Sequence, residues 1–108
     1  MKTQEELDAI KIALEPTHKT IYTVEIPVNE DELETRTIFL KKFDRATLAA
    51  TQKMVSVDSL KAIEVFVKNT YIGGDDLQEI LNDLYMLRSL EGVIVDLISV
   101  KKASLKKN

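Results

Sequence analysis

Val67-Lys68-Asn69-Thr70-Tyr71-Ile72-Gly73-Gly74-Asp75-Asp76 carries an apolar-periodic segment into an aromatic, a pair of glycines and two acids. Adjacent glycines where such a segment ends supply a left-handed helix cap, because a residue without Cβ enters positive φ at little cost. The aspartates behind them can accept hydrogen bonds from the free N–H groups of a following helix. The stretch predicts a helix–turn–helix joint whose structural residues are Gly73, Gly74 and Asp76.

Both sides of this joint read as helix. Upstream, Asp44 caps a helix holding Leu48, Ala49, Met54 and Val55, and Asp58 caps a second one with Leu60, Ile63, Phe66 and Val67 on one stripe. These two are expected to pack as a short helix hairpin. Downstream, Asp76 with Glu79 repeats the capping-box spacing, and Leu77, Ile80, Leu81, Leu84, Leu87 and Leu90 continue an apolar stripe. Gly92 interrupts before Ile94, Leu97 and Ile98 resume it. An interior glycine costs about 1 kcal/mol relative to alanine, so the segment is either one long C-terminal helix or two joined near Ser89–Gly92.

The N-terminal part changes period. Thr3 followed by Glu6 is a capping box, and Leu7, Ile10 and Leu14 recur at helical spacing up to Glu15-Pro16, which predicts a helix over about residues 4–14. From Lys19 the period becomes two: Tyr22, Val24, Ile26 and Val28 face one way, Thr23 and Glu25 the other. Pro27 removes a ladder donor and suggests an edge or a strand end. Asn29-Glu30-Asp31-Glu32 is a polar turn, and Thr35–Leu40 returns as the second strand of a hairpin. Two strands alone are barely stable, so their apolar face must lie on the helices or on another chain's sheet. The expected fold is α+β, mostly α, in one domain of 1–108. It comprises an N-terminal helix and linker over 1–18, a β-hairpin over 19–43 and a helical part over 44–108.

Composition narrows the function classes. The chain has no cysteine, which excludes disulfide stapling and suits a reducing compartment. Its start has no apolar signal run, and no window approaches the roughly 20 apolar residues of a membrane span, so neither secretion by such a signal nor membrane insertion is expected. Residues 1–34 carry nine acids against three lysines, whereas residues 35–75 carry seven bases against four acids, and Lys101, Lys102, Lys106 and Lys107 close the chain. Opposed charges of this kind favour ordered self-association; the lysines also complement a helix C-terminus.

Catalytic and metal readings have little to build on. His18 stands in a turn with no second histidine or cysteine to complete a zinc set. Asp76, Glu79 and Asp83 share a helix face and could hold a hard cation only if a second element supplied oxygens. Gly73-Gly74-Asp75 lacks the Lys-Ser/Thr of a phosphate loop and puts negative charge where the phosphate would sit. No catalytic triad can be made from the single histidine, no cofactor is implied, and an enzyme is not expected. The terminal lysines have no interleaved aromatics and the protein is acidic overall, which argues against nucleic acid.

A resemblance adds to this reading. Thr20–Glu25 as a first strand, Asp44-Arg45-Ala46-Thr47-Leu48-Ala49-Ala50 as a helix start, Lys61–Asp75 with its Tyr-Ile-Gly-Gly-Asp run, and Lys101-Lys102-Ala103-Ser104-Leu105-Lys106-Lys107 at the end are similar to small tail-assembly-chaperone-like proteins of phages and prophages. It covers roughly residues 19–107. Two departures stand out: Thr70-Tyr71 occupies the place where a Cys-Trp or similar pair is expected, and the first helix is longer than in those relatives. The resemblance implies a non-catalytic protein that coats the long, helical, aggregation-prone tape-measure protein in the host cell cytoplasm until tail-tube subunits displace it. A small structural virion or head-auxiliary protein is the alternative it leaves. Tyr71, Leu84, Leu87, Ile94 and Ile98 are the expected partner-binding residues, and a homo-oligomer is expected. Lys106-Lys107-Asn108 can be encoded by an A-rich, slippage-prone run, consistent with a short and a frameshifted long form.

Overall fold

The computed structural model describes residues 2–31 and 33–107, with side-chain environments as far as Ile98. The fold is α+β and mostly helical, with an N-terminal helix, an antiparallel hairpin completed by a third strand, and a long C-terminal helix. Helix α1 spans Gln4–Leu14 and opens on the expected reciprocal cap, in which Thr3 Oγ1 accepts from Glu6 N–H and Glu6 Oε1 accepts from Thr3 N–H, both at 3.1 Å. Strands β1 (Ile21–Pro27) and β2 (Thr35–Lys41) pair antiparallel, with Tyr22 opposite Leu40 and Val24 opposite Ile38. Val24 and Ile26 are buried while Thr23 and Glu25 are exposed, as the two-residue period requires.

The glycine pair is the first correction. Helix α3 (Ser59–Thr70) ends without a left-handed cap; Tyr71 is already extended, at φ −62° and ψ 128°. Tyr71–Gly74 is a third strand, β3, which pairs antiparallel with β2, placing Ile38 opposite Gly74 and Phe39 opposite Gly73. The joint is therefore helix–strand–helix. Its edge pairing makes β2 the central strand of a sheet ordered β1-β2-β3, which explains why Thr37, Ile38, Phe39 and Leu40 are all buried. A strand covered on both faces reads as an unbroken apolar run rather than an alternating one.

The two glycines serve different ends. Gly74 lies at φ +114°, and a Cβ there would come within 2.5 Å of the Thr37 carbonyl oxygen and 2.8 Å of Ile38 Cα. A Cβ on Gly73 would instead meet Ile10 Cγ2 at 3.0 Å and Leu14 Cδ1 at 3.3 Å, so this glycine lets α1 settle on β3. Asp75, read from sequence as a helix-capping acid, turns back into the fold. Its carboxylate accepts from Lys2 N–H at 2.7 Å and from Thr37 N–H at 2.8 Å, while its own N–H donates to the Thr37 carbonyl. Asp75 is 2% exposed, so one carboxylate ties the start of the chain, β2 and β3 together.

Helices α2 (Arg45–Val55) and α3 carry the expected caps: Asp44 accepts from Thr47 N–H and Asp58 from Lys61 N–H. Phe43, between β2 and α2, sits 5.0 Å from the Phe66 ring in an edge-on arrangement and 5.8 Å from Tyr22, knitting sheet to helices. Ile38, Leu40, Ile63, Phe66, Ile80 and Leu90 form the centre of the core.

The C-terminal region gives the second correction. The break falls at Asp83, between α4 (Leu77–Asn82) and α5 (Leu84–Lys107), and α5 passes through Gly92 without interruption. Asp83 is extended, and its carboxylate accepts from Met86 N–H at 3.0 Å while its carbonyl accepts from Leu87 N–H, starting a new helix in a new phase. Asp76 caps α4 through Gln78 N–H, but the reciprocal half of a capping box is missing. Glu79 accepts from Arg36 Nε at 2.7 Å instead. The basic tail at Lys101, Lys102, Lys106 and Lys107 lies outside the described side chains, and Asn108 outside the described residues.

Candidate partner-binding surface

The phase of α5 decides which side chains it displays. Met86, Leu90, Ile94 and Ile98, spaced by four, point into the core, with Val93 and Leu97 packed beside them. A lane on the opposite side therefore begins at Leu84 and runs through Arg88 and Gly92 to Val95, with Tyr85 and Ser89 alongside. Leu84 is 63% exposed, and Tyr85 and Val95 are each more than a third exposed. From Leu84 to Val95 is about 17 Å of helix at 1.5 Å per residue. Leu84, Tyr85, Arg88 and Ser89 border an open hollow of about 460 Å³. Among the described residues no heavy atom beyond the helix's own lies within 4 Å of a Cβ built on Gly92, so the helix surface is open there.

The five expected partner-binding residues separate on this geometry. Leu84 is displayed. Leu87 is half-buried at the edge of the helix, and Tyr71 is half-buried on β3, where its hydroxyl donates to the Asp75 carbonyl at 2.9 Å. Burial, reinforced by the nearby Asp76 and Asp75 carboxylates, pushes the Tyr71 phenol above its ordinary value. Ile94 and Ile98 are 0% and 6% exposed and belong to this chain's own core, so they are not free to meet a partner. The unbroken stripe read through Leu84 and Leu87 assumed a continuous helix; the turn at Asp83 rotates Leu84 out and Met86 in. Tyr85, Arg88 and Val95 share the exposed side of α5 with Leu84, a phase that the Asp83 N-cap sets.

The polar groups around the sheet are committed to structure. Arg36 donates through Nε to Glu79 and forms an ion pair with Glu34 at 3.1 Å, which together raise its already high pKa and pin the hairpin to α4. The Ser59 hydroxyl donates to the Glu91 carboxylate, fastening α3 to α5. Among the described residues no three His, Cys, Asp or Glu side chains are gathered as a metal site. Asp76 and Asp83 cap helices and Glu79 pairs with Arg36, so these three acids are separately engaged. No described helix is long and apolar enough to cross a membrane.

Fold and surface together define a small α+β protein whose last helix exposes a lane headed by Leu84 and Tyr85. Compared with protein-family models, with curated proteins and with solved structures, the chain matches none.

Proposed function

We propose that this chain is a non-catalytic phage tail assembly chaperone that binds the helical tape-measure protein during tail morphogenesis in the host cytoplasm. The observation that carries the reading is the exposed α5 lane headed by Leu84 and Tyr85. Tyrosine and arginine at the edge of an apolar hollow are the side chains that most often anchor an interface, and a partner helix meets such a lane through residues spaced i, i+3, i+4, i+7. A long helical protein offers that pattern repeatedly, so many copies can cover it. The resemblance of residues 19–107 to tail-assembly-chaperone-like proteins supplies the identity of the partner.

The direct test is co-expression with the tape-measure protein of the same phage. The partner should remain soluble and copurify with the chain, and Leu84→Glu should abolish copurification while leaving the fold intact. Leu90→Glu should unfold the protein, since it would bury an unpaired carboxylate in the core. Copurification unaffected by Leu84→Glu would refute the assignment of the lane. A structural virion protein is the second reading, favoured by the outer edge of β1, unpaired among the described residues, which could join a neighbour's sheet in a lattice. Stoichiometric recovery of the chain from mature particles, without copurification of the tape-measure protein, would establish that reading instead.

A further inference from the structure

A second apolar depression lies away from the α5 lane. Between α2 and α3 runs a groove of about 290 Å³ lined by Ala46, Ala50, Thr51, Met54, Ala62 and Val65 among others. The Thr51 hydroxyl is spent on the Thr47 carbonyl at 2.8 Å, and Met54 is 38% exposed. The walls are therefore short and largely apolar, with one adaptable side chain. Lys53 lies one turn from Ala50, and Lys61 one turn from Val65, so each wall carries a lysine beside the groove. Neither lysine forms an ion pair among the described residues.

The complementary element is on the other side of the same molecule. In α1, Leu7, Ile10 and Leu14 face inward, and Glu5, Asp8, Ile12 and Glu15 share the outward face at spacings of three, four and three. Ile12 is 66% exposed in the middle of this acidic stripe. Glu5 and Glu15 make no ion pair among the described residues, and Asp8 accepts only from Gln4. The stripe from Glu5 to Glu15 is about 15 Å long and the α2 wall from Ala46 to Met54 about 12 Å, so the lengths match. Helix α1 rests on β3, over the Gly73 side of the sheet, while α3 packs on β2 from the Ile38 side. The sheet stands between them, and a chain's own α1 is held away from its own groove.

We propose that the groove between α2 and α3 receives α1 of a second copy of this chain, with Ile12 seated among the alanines and Glu5, Asp8 and Glu15 facing Lys53 and Lys61. Stripe and groove are different surfaces, so the contact is heterologous and copies add head to tail. One helix in one groove falls at or below the roughly 1,200 Å² that marks the small end of specific interfaces, so a single contact is weak, in the micromolar range or above. This inference is independent of the tape-measure reading and uses none of the α5 lane.

Sedimentation velocity on the full chain from 10 µM to 1 mM tests it. Association should grow with concentration and weaken when salt rises from about 50 to 500 mM, as exposed charge pairs are screened. Ile12→Lys, which removes the stripe's apolar centre, and Ala50→Trp, which fills the groove, should each weaken association at least tenfold, with circular dichroism unchanged because both positions are exposed. If Ala50→Trp disturbs folding, Lys53→Glu with Lys61→Glu serves as the groove variant. Mixing the stripe variant with the groove variant should restore a dimer and nothing larger, since only one intact stripe and one intact groove remain. Leu84→Glu should associate like the parent. A parent that is monomeric up to 1 mM, single variants that associate like it, or a mixture that fails to pair would each overturn the proposal.

Discussion

Gly74→Ala is the sharpest perturbation of the fold. At φ +114° an L side chain is strained by about 1–3 kcal/mol. The Cβ would also come within 2.5 Å of the Thr37 oxygen and 2.8 Å of Ile38 Cα, both backbone atoms of the central strand that can yield only if β3 moves away. Overpacking of that kind costs about 1–3 kcal/mol more. The expected total is about 2–6 kcal/mol, a large fraction of the roughly 5–15 kcal/mol available to a domain. Gly73→Ala is the internal control. Its Cβ would crowd Ile10 Cγ2 at 3.0 Å and Leu14 Cδ1 at 3.3 Å, the ends of side chains that can rotate aside, for about 0.5–1.5 kcal/mol. In urea, with a slope of about 1.5 kcal/mol/M, the midpoint should fall by about 1.3 M or more for Gly74→Ala and by about 1 M or less for Gly73→Ala. Equal midpoints for the two variants, or a loss under about 1 kcal/mol at Gly74, would refute the role given to its backbone.

Asp75→Ala should destabilise by about 2–4 kcal/mol, because it leaves the Lys2 and Thr37 N–H groups without their acceptor. Limited proteolysis should then cut near the start of α1 faster than in the parent; unchanged cleavage there would show that the carboxylate does not hold the N-terminal segment. Acid should weaken the protein through Glu6 and Asp44, held below their ordinary 4.5 and 3.8 chiefly by backbone N–H groups at Thr3 and Thr47, and through Glu64, held below 4.5 by the Lys68 ammonium. A depressed folded-state pKa contributes stability above the unfolded value that disappears as pH falls through the folded one. The melting temperature should therefore be level near neutrality and decline below about pH 4.5, with a smaller decline in Asp44→Asn. A melting temperature constant down to pH 3 would contradict this.

Much of the architecture was legible along the chain. Thr3 with Glu6, Asp44, Asp58 and Asp76 each cap the helix expected of them, and β1 shows its burial in its alternation, because a cap or a strand period is decided within a few residues. Asp83 carried the same kind of signal, but the leucines on either side of it imitate a single unbroken stripe. Only packing against α3 and β1 shows that Met86, not Leu84, faces the core, and hence that Ile94 and Ile98 are internal while Leu84 and Tyr85 are exposed. Gly73-Gly74 marked a special backbone without saying which one. The same pair serves a helix cap or a strand edge, and β2, more than thirty residues away, supplies the hydrogen-bonding partner that selects the strand. Asp75 likewise resembles a helix cap until Lys2 and Thr37, remote in sequence, are brought within 3 Å of its oxygens. Local chemistry determined where the elements of this protein begin; pairing and burial between distant segments decided which faces they turn inward, because hydrogen bonds and apolar area are satisfied only by what lies across the fold.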